Sequence, residues 1–175
     1  LWALACLLIP AFSGHALAGT VENATLTPAT INAPLGSGPQ EIVFSAVNDQ
    51  SFSLKSYSAT FSYDSGLTIA LSSLPPTETD PIVAPVKSEV DTRKKTIILE
   101  WDNIPPGSEM AVKILADAAT GGSYSIAPKA IKYSDFDRNR YTGASNTASL
   151  NMTTEQVPPS APPISTPARA KTISA

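Results

Sequence analysis

The sequence predicts an all-β protein, an antiparallel β-sandwich of about 8–9 short strands. Three observations carry this expectation. Apolar residues recur at every second position through most of residues 20–155, which is the spacing of a strand with one buried face. Sixteen prolines and nine glycines interrupt the 175-residue chain too often for long helices. The stretch nearest to an amphipathic helix, Met110–Ala119, fits period two better through Ile114.

Taken in order, the elements follow from local pattern. Ile42, Phe44 and Ala46 alternate with polar neighbours after the turn-rich Pro34–Pro39. Tyr57, Ala59, Phe61 and Tyr63 do the same in SYSATFSYD. Asp64-Ser65-Gly66 then supplies a tight turn, because Asp and Ser bond to the local backbone and Gly tolerates unusual dihedrals. Leu67, Ile69 and Leu71 return on the next strand. The proline-rich Leu74–Pro85 breaks the alternation, and since proline cannot donate to a ladder it predicts a loop or an irregular edge. Lys95–Trp101 is apolar on both faces over Ile97–Leu99 and reads as a strand inside a sheet. Ile104-Pro105-Pro106-Gly107 turns the chain, and Met110, Val112, Ile114 and Ala116 alternate again. Gly121-Gly122 makes a further turn, followed by Tyr124 and Ile126, then Ile131 and Tyr133. The last strand, Thr147–Met152, places Ala148, Leu150 and Met152 on one face. Each strand has a single apolar face, so two sheets must close on each other to remove those faces from water.

The ends differ in composition. Residues 1–18, LWALACLLIPAFSGHALA, hold an apolar run, Leu1–Phe12, shorter than the roughly 20 residues that cross a bilayer. Ala16-Leu17-Ala18 fits a small-residue cleavage site. We read 1–18 as a secretory signal peptide, which makes the mature chain secreted or cell-surface, with no membrane span in the sequence. Cys6 precedes most of the apolar run, the wrong order for a lipidation box. The folded domain is expected over 19–155. Residues 156–175, rich in Pro, Ser, Thr and Ala, read as a linker or disordered tail.

Composition excludes several chemistries. Cys6 and His15 are the single cysteine and the single histidine, and both fall within the expected signal peptide. The mature domain then lacks the side chains for Cys/His zinc sites, for Cys–His or Ser–His catalysis and for disulfides. A formal net charge of −3 gives no electrostatic case for a nucleic-acid partner. We expect no enzyme and no cofactor other than a candidate calcium ion.

That ion would sit at Asp135, Asp137 and Asn139, whose D-x-D-x-N spacing begins many calcium loops because alternate side chains can converge oxygens on one cation. The pattern then departs: Arg140 follows where Gly is usual, Asn146 stands where a bidentate Glu would be, and Arg138 and Arg140 add positive charge. The competing reading is a hairpin turn capped by Asp and Asn. Asn23-Ala24-Thr25 and Asn151-Met152-Thr153 are glycosylation sequons. Asp64, Glu78, Asp80, Glu89, Asp91, Glu100 and Asp102 fall mostly in turns or at outward positions, so they read as solvated surface rather than as a glycosidase pair. Lys113 with Glu100 or Asp102 makes a candidate cross-strand ion pair. Lys55 or Lys113 with Asn146 would supply two of the three groups of an isopeptide crosslink, which also needs a nearby acid, but nothing in the sequence fixes their facing. Trp101, Tyr57, Tyr63, Tyr124, Tyr133 and Tyr141 either pack as core or form a sugar-binding platform.

Two stretches carry a resemblance. Tyr57–Leu71, YSATFSYDSGLTIAL, resembles the strand–Tyr-Asp–turn–strand element of cohesin-like and related Ig-like domains of prokaryotic surface proteins. The closing half, IPPGSEMAVKILADAATGGSYSIAPKAIKYSDFDRNRYTGASNTASLNM, is similar to theirs in running strand, small-residue turn, strand, acidic turn, final strand. The resemblance implies an Ig-like/cohesin-like sandwich and a non-catalytic module serving protein–protein interaction, adhesion or envelope structure. Its partner would be a surface protein or a polysaccharide. It transfers no binding residue. The alternative is a carbohydrate-binding module, calcium-stabilised, using the tyrosines and the Asp135–Asn139 loop.

Overall fold

Strands and turns account for the described residues, 24–74 and 82–154, of the computed structural model, and no helix occurs among them. The expected signal peptide, the tail, Cys6, His15, Asn23, Glu78 and Asp80 lie outside the described residues. In chain order the strands are β1 (Thr25–Thr27), β2 (Thr30–Pro34), β3 (Gln40–Val47), β4 (Leu54–Tyr63), β5 (Leu67–Ser73) and β6 (Ile82–Val83). They continue with β7 (Lys87–Asp91), β8 (Thr96–Ile104), β9 (Glu109–Ala118), β10 (Gly122–Asp135), β11 (Arg140–Gly143) and β12 (Ala148–Thr153).

These strands form two sheets. One has the order β1-β3-β9-β5, with β6 also on β9; the other runs β2-β12-β10-β4-β8-β7, with β11 also on β10. Pairing is antiparallel except for β2 with β12 and β6 with β9. The chain passes from the first sheet to the second between β1 and β2, at Pro28-Ala29, where a residue without an N–H interrupts no ladder.

The apolar alternation read from the sequence faces inward from both sheets. Ile42, Phe44, Ala46, Met110, Val112, Ile114 and Ala116 come from the five-stranded sheet, and Tyr57, Ala59, Phe61, Ile97, Leu99, Trp101, Ile131 and Leu150 from the seven-stranded one. Their aromatic members meet at the centre: Phe44 lies 5.5 Å from Phe61, edge-on, and 5.6 Å from Trp101. Such arrangements add to the burial of area alone.

Two departures from the sequence reading have physical causes. First, Tyr124–Ile126 and Ile131–Tyr133 belong to one 14-residue strand, β10. Pro128 sits inside it because the register shifts between Pro128 and Ala130, and a bulge is where proline is tolerated in a sheet. There β10 also changes partner on one side, pairing with β12 at Gly122–Ile126 and with β11 at Ile131–Ser134. Second, β1, β2, β6, β7 and β11 are additional short strands. They are edge or crossover segments, and a strand such as KSEVD, with Val90 alone apolar, gives no alternation to detect.

Candidate interaction face

Because β4, β8 and β10 have most of their large side chains in the core, their outer side carries mainly small or charged ones, with the half-buried Ile98 of β8 opposite Thr60 as an apolar exception. The register sets Ser58 of β4 between Lys132 of β10 and Glu100 of β8, and Ser56 between Ser134 and Asp102. Ser56 Oγ and Ser134 Oγ are hydrogen-bonded at 2.8 Å. Thr60 and Ser62 continue the row along β4. The result is a broad outer surface of hydroxyls, flanked by cations on the β10–β11 side and carboxylates on the β8–β7 side.

The cationic side is recessed. A groove of about 560 Å³ is lined by Lys55, Ser56, Ser58, Lys132, Arg140 and Thr142 among others. A smaller depression of about 210 Å³ involves Arg138, again with Lys55 and Arg140. Lys55, Lys132, Arg138 and Arg140 are exposed, and none of the ion pairs among the described residues includes them. On the other side of the face, by contrast, Lys87 pairs with Glu89 at 3.1 Å. The hydrogen bond to Glu89 raises the Lys87 pKa, helped by the nearby charges of Glu89 and Glu100.

One hairpin holds the groove's outer wall. Asp135 is 6% exposed, and its carboxylate accepts from Asn139 N–H at 2.9 Å, Asn139 Nδ2 at 2.7 Å and the Tyr141 hydroxyl at 2.9 Å. Burial, the largest single influence, works against its ionisation. The combined donors of Asn139, Tyr141 and the Asp137 backbone nonetheless hold the carboxyl below the ordinary range. The same bond keeps the Tyr141 hydroxyl protonated to higher pH than usual. Arg138 takes a left-handed conformation, φ 68°, to close the turn. Tyr141 then stacks on Tyr133 at 5.0 Å, and Tyr133 on Tyr57 at 6.2 Å, so the hairpin is anchored to the core.

The structure places the other sequence candidates as follows. Asp135 and Asn139 are brought together, with Asn139 as donor to Asp135 rather than as a second oxygen facing a shared point; Asp137 is exposed at the tip. These are the hydrogen bonds of a capped hairpin turn. No group of three or more His, Cys, Asp or Glu suited to a metal occurs among the described residues. Asn151 lies in β12, where its Nδ2 donates to Asn32 Oδ1 at 2.9 Å. Lys113 pairs with Glu41 at 2.8 Å, not with Glu100 or Asp102, because β8 and β9, though consecutive, belong to different sheets. Asn146 is bonded to both backbone groups of Leu26, at 2.7 and 2.9 Å, rather than to a lysine. Trp101, Tyr57, Tyr63 and Tyr133 are core residues, while Tyr124 and Tyr141 are partly buried, and Tyr141 with the edge of Tyr133 belongs to the lining of the groove. The sequence reading missed the groove. Its signal was present in Arg138 and Arg140, which argued against a cation and instead line the depression.

The second large face is unlike the first. On the outside of the five-stranded sheet Lys113 is paired with Glu41, and Glu109 accepts from Ser45 Oγ at 2.6 Å.

No family model matches the chain, and no curated protein matches it. Solved structures do. A cohesin module of a family 33 glycoside hydrolase from Clostridium perfringens superposes with a TM-score of 0.57 at 16% identity, covering 78% of this chain and 100% of that one. A type I cohesin in a cohesin–dockerin complex from Clostridium thermocellum gives 0.56 at 15% identity, covering 77% and 100%. A non-cellulosomal cohesin from the archaeon Archaeoglobus fulgidus gives 0.52 at 12% identity, covering 77% and 92%. The chain therefore has the cohesin fold, an all-β sandwich of two sheets dominated by antiparallel pairing.

Proposed function

We propose that the chain is an exported, non-enzymatic protein-interaction module that binds a partner protein through the outer face of β4, β8, β10 and β11. The observation that carries this reading is the division of that face into free cations, a row of small hydroxyls and carboxylates, around a groove. Such a surface offers directional polar contacts and a charge pattern that selects a partner. A partner seated across it would cover hydroxyls that lose little side-chain entropy on ordering. Support also comes from fold: some of the similar solved cohesins are held in complexes with dockerins. A partner of that general kind, a protein domain, fits a broad face of charges and small hydroxyls on which Tyr133 and Tyr141 are confined to the lining of the groove. Export follows from the reading of residues 1–18.

The test is site-specific photo-crosslinking in the producing cells, with the crosslinker at Ser58 or at Thr68 on the outside of β5. We expect one dominant protein adduct from Ser58 and none of it from Thr68. Identical adducts from both positions, or none from Ser58, would remove the proposal.

A further inference from the structure

The groove is unbalanced in charge. Lys55, Lys132 and Arg140 line it and Arg138 borders it, yet no ion pair among the described residues involves any of them. The buried acid in their midst, Asp135, has its oxygens engaged by Asn139 and Tyr141. Asp137 is exposed at the hairpin tip and makes no ion pair either. Across the face the carboxylates are partly compensated by Lys87. Glu100 and Asp102 on β8 make no ion pair among the described residues either, so the face is divided, with its positive charge gathered on the groove side although the chain as a whole carries −3.

Apolar side chains stand at the same end. Leu54 pairs with Asp135 at the end of the β4–β10 ladder. Phe52, two residues before Leu54, is 40% exposed, and Phe136, directly after Asp135, is 57% exposed. Both are thus exposed beside the end of the ladder that carries Lys55, Arg138 and Arg140, outside the lining of the groove itself.

From this juxtaposition we infer that the groove receives an acidic polypeptide segment, its Asp and Glu carboxylates set among Lys55, Lys132 and Arg140 and its apolar side chains against Phe52 and Phe136. The inference rests on the reading of the chain as a protein-interaction module and adds the chemistry of the partner. Carboxylates placed there gain charge-assisted bonds from Lys and Arg and further bonds from the Ser58 and Thr142 hydroxyls. A polyuronate would offer carboxylates but no side chains for the phenylalanines. An anionic bilayer is a broad flat surface and would not enter a recessed groove.

The full chain is titrated by calorimetry with poly-L-glutamate, with alginate and with phosphatidylglycerol vesicles, in about 50 and about 300 mM salt. Poly-L-glutamate should bind at low salt and weaken at high salt. Lys55→Glu with Arg140→Glu should weaken it by at least about tenfold, whereas Arg93→Glu with Lys94→Glu, the same charge change in the β7–β8 turn, should not. Lys55→Arg with Arg140→Lys should retain binding, which separates charge from misfolding. Absence of poly-L-glutamate binding, equal loss in both charge reversals, or preference for alginate or vesicles would overturn the inference. If crosslinking from Ser58 still yields a protein adduct in those cases, the interaction reading stands and the acidic partner alone is lost.

Discussion

Trp101 Nε1 donates a 2.9 Å hydrogen bond to the carbonyl of Val83. The indole belongs to β8 of the seven-stranded sheet and the carbonyl to β6, the short parallel strand on β9. The largest fully buried side chain among the described residues therefore also ties the two sheets together. Trp101→Phe keeps an aromatic ring in the core but loses this bond and leaves a void. We expect a loss of about 2–3 kcal/mol in urea unfolding, with faster amide exchange at Val83 than on β1. Unchanged stability would show that the tie contributes nothing.

A second polar knot closes the end of the sandwich near the groove. Asn48 is fully buried, its Nδ2 faces the carbonyls of Phe52, Ile104 and Pro105, and its Oδ1 accepts from the Gln50 N–H. Gly107, at φ 73°, donates its N–H to the Asn48 carbonyl at 2.7 Å. Asn48→Asp replaces a donor with a carboxylate facing carbonyl oxygens. It should cost about 3 kcal/mol or more at neutral pH and less in acid, where the carboxyl is protonated. Chemical denaturation at both pH values checks this, and equal losses would contradict it.

The Tyr57 hydroxyl is buried with no hydrogen-bond partner. Burial first, and the neighbouring Tyr133 second, push its pKa well above the ordinary 10.0. The unfolded chain sheds this proton from about pH 10 while the fold retains it. The fold thus binds more protons, and stability falls as pH rises past 10. Tyr57→Phe removes an unsatisfied group at constant shape. It should leave stability at pH 7 unchanged or raised by up to about 1 kcal/mol and flatten the alkaline decline, read from thermal melts at pH 8–11.

Asp135 behaves in the opposite sense. Burial disfavours its charge, but the donors of Asn139, Tyr141 and the Asp137 backbone outweigh it and lower the pKa below the ordinary 3.8. Its stabilising contribution is present above the unfolded value and is lost as pH falls through the folded one. Asp135→Asn should therefore destabilise at pH 7 and converge on the parent chain at the acid end. Because the hairpin is closed by these bonds, adding calcium to the chelated protein should leave its melting temperature unchanged. A rise of several degrees would instead support the calcium loop.

Gly66 approaches the Tyr124 ring so closely that an added Cβ would collide with it. The ring has little freedom to yield, since its hydroxyl is bonded to both the side chain and the carbonyl of Thr120. Gly66→Ala should cost about 1–3 kcal/mol, and much of that should be recovered in a Tyr124→Ser background.

The two-sheet core was legible because Tyr57–Tyr63 and Met110–Ala116 alternate strictly, and one buried face is all that such a pattern can encode. Pairing was not legible. Lys113 and Glu100 lie on consecutive strands, yet the chain switches sheets between them, and nothing local to either residue records that. The groove was hidden for a related reason: Lys55 is far in sequence from Lys132 and Arg140, and only the β4–β10 ladder brings them together. Asp135, by contrast, was visible as a chemical feature, and its neighbours at Asn139 and Tyr141 decided what kind.

The proposed function depends most on which sheet meets the partner. Hydrogen–deuterium exchange on the complex captured from Ser58 measures this directly. We predict slowed exchange over residues 54–62, 130–135 and 140–143, with residues 40–47 and 67–73 unchanged. Protection confined to the latter two segments would place the partner on the five-stranded sheet and contradict it.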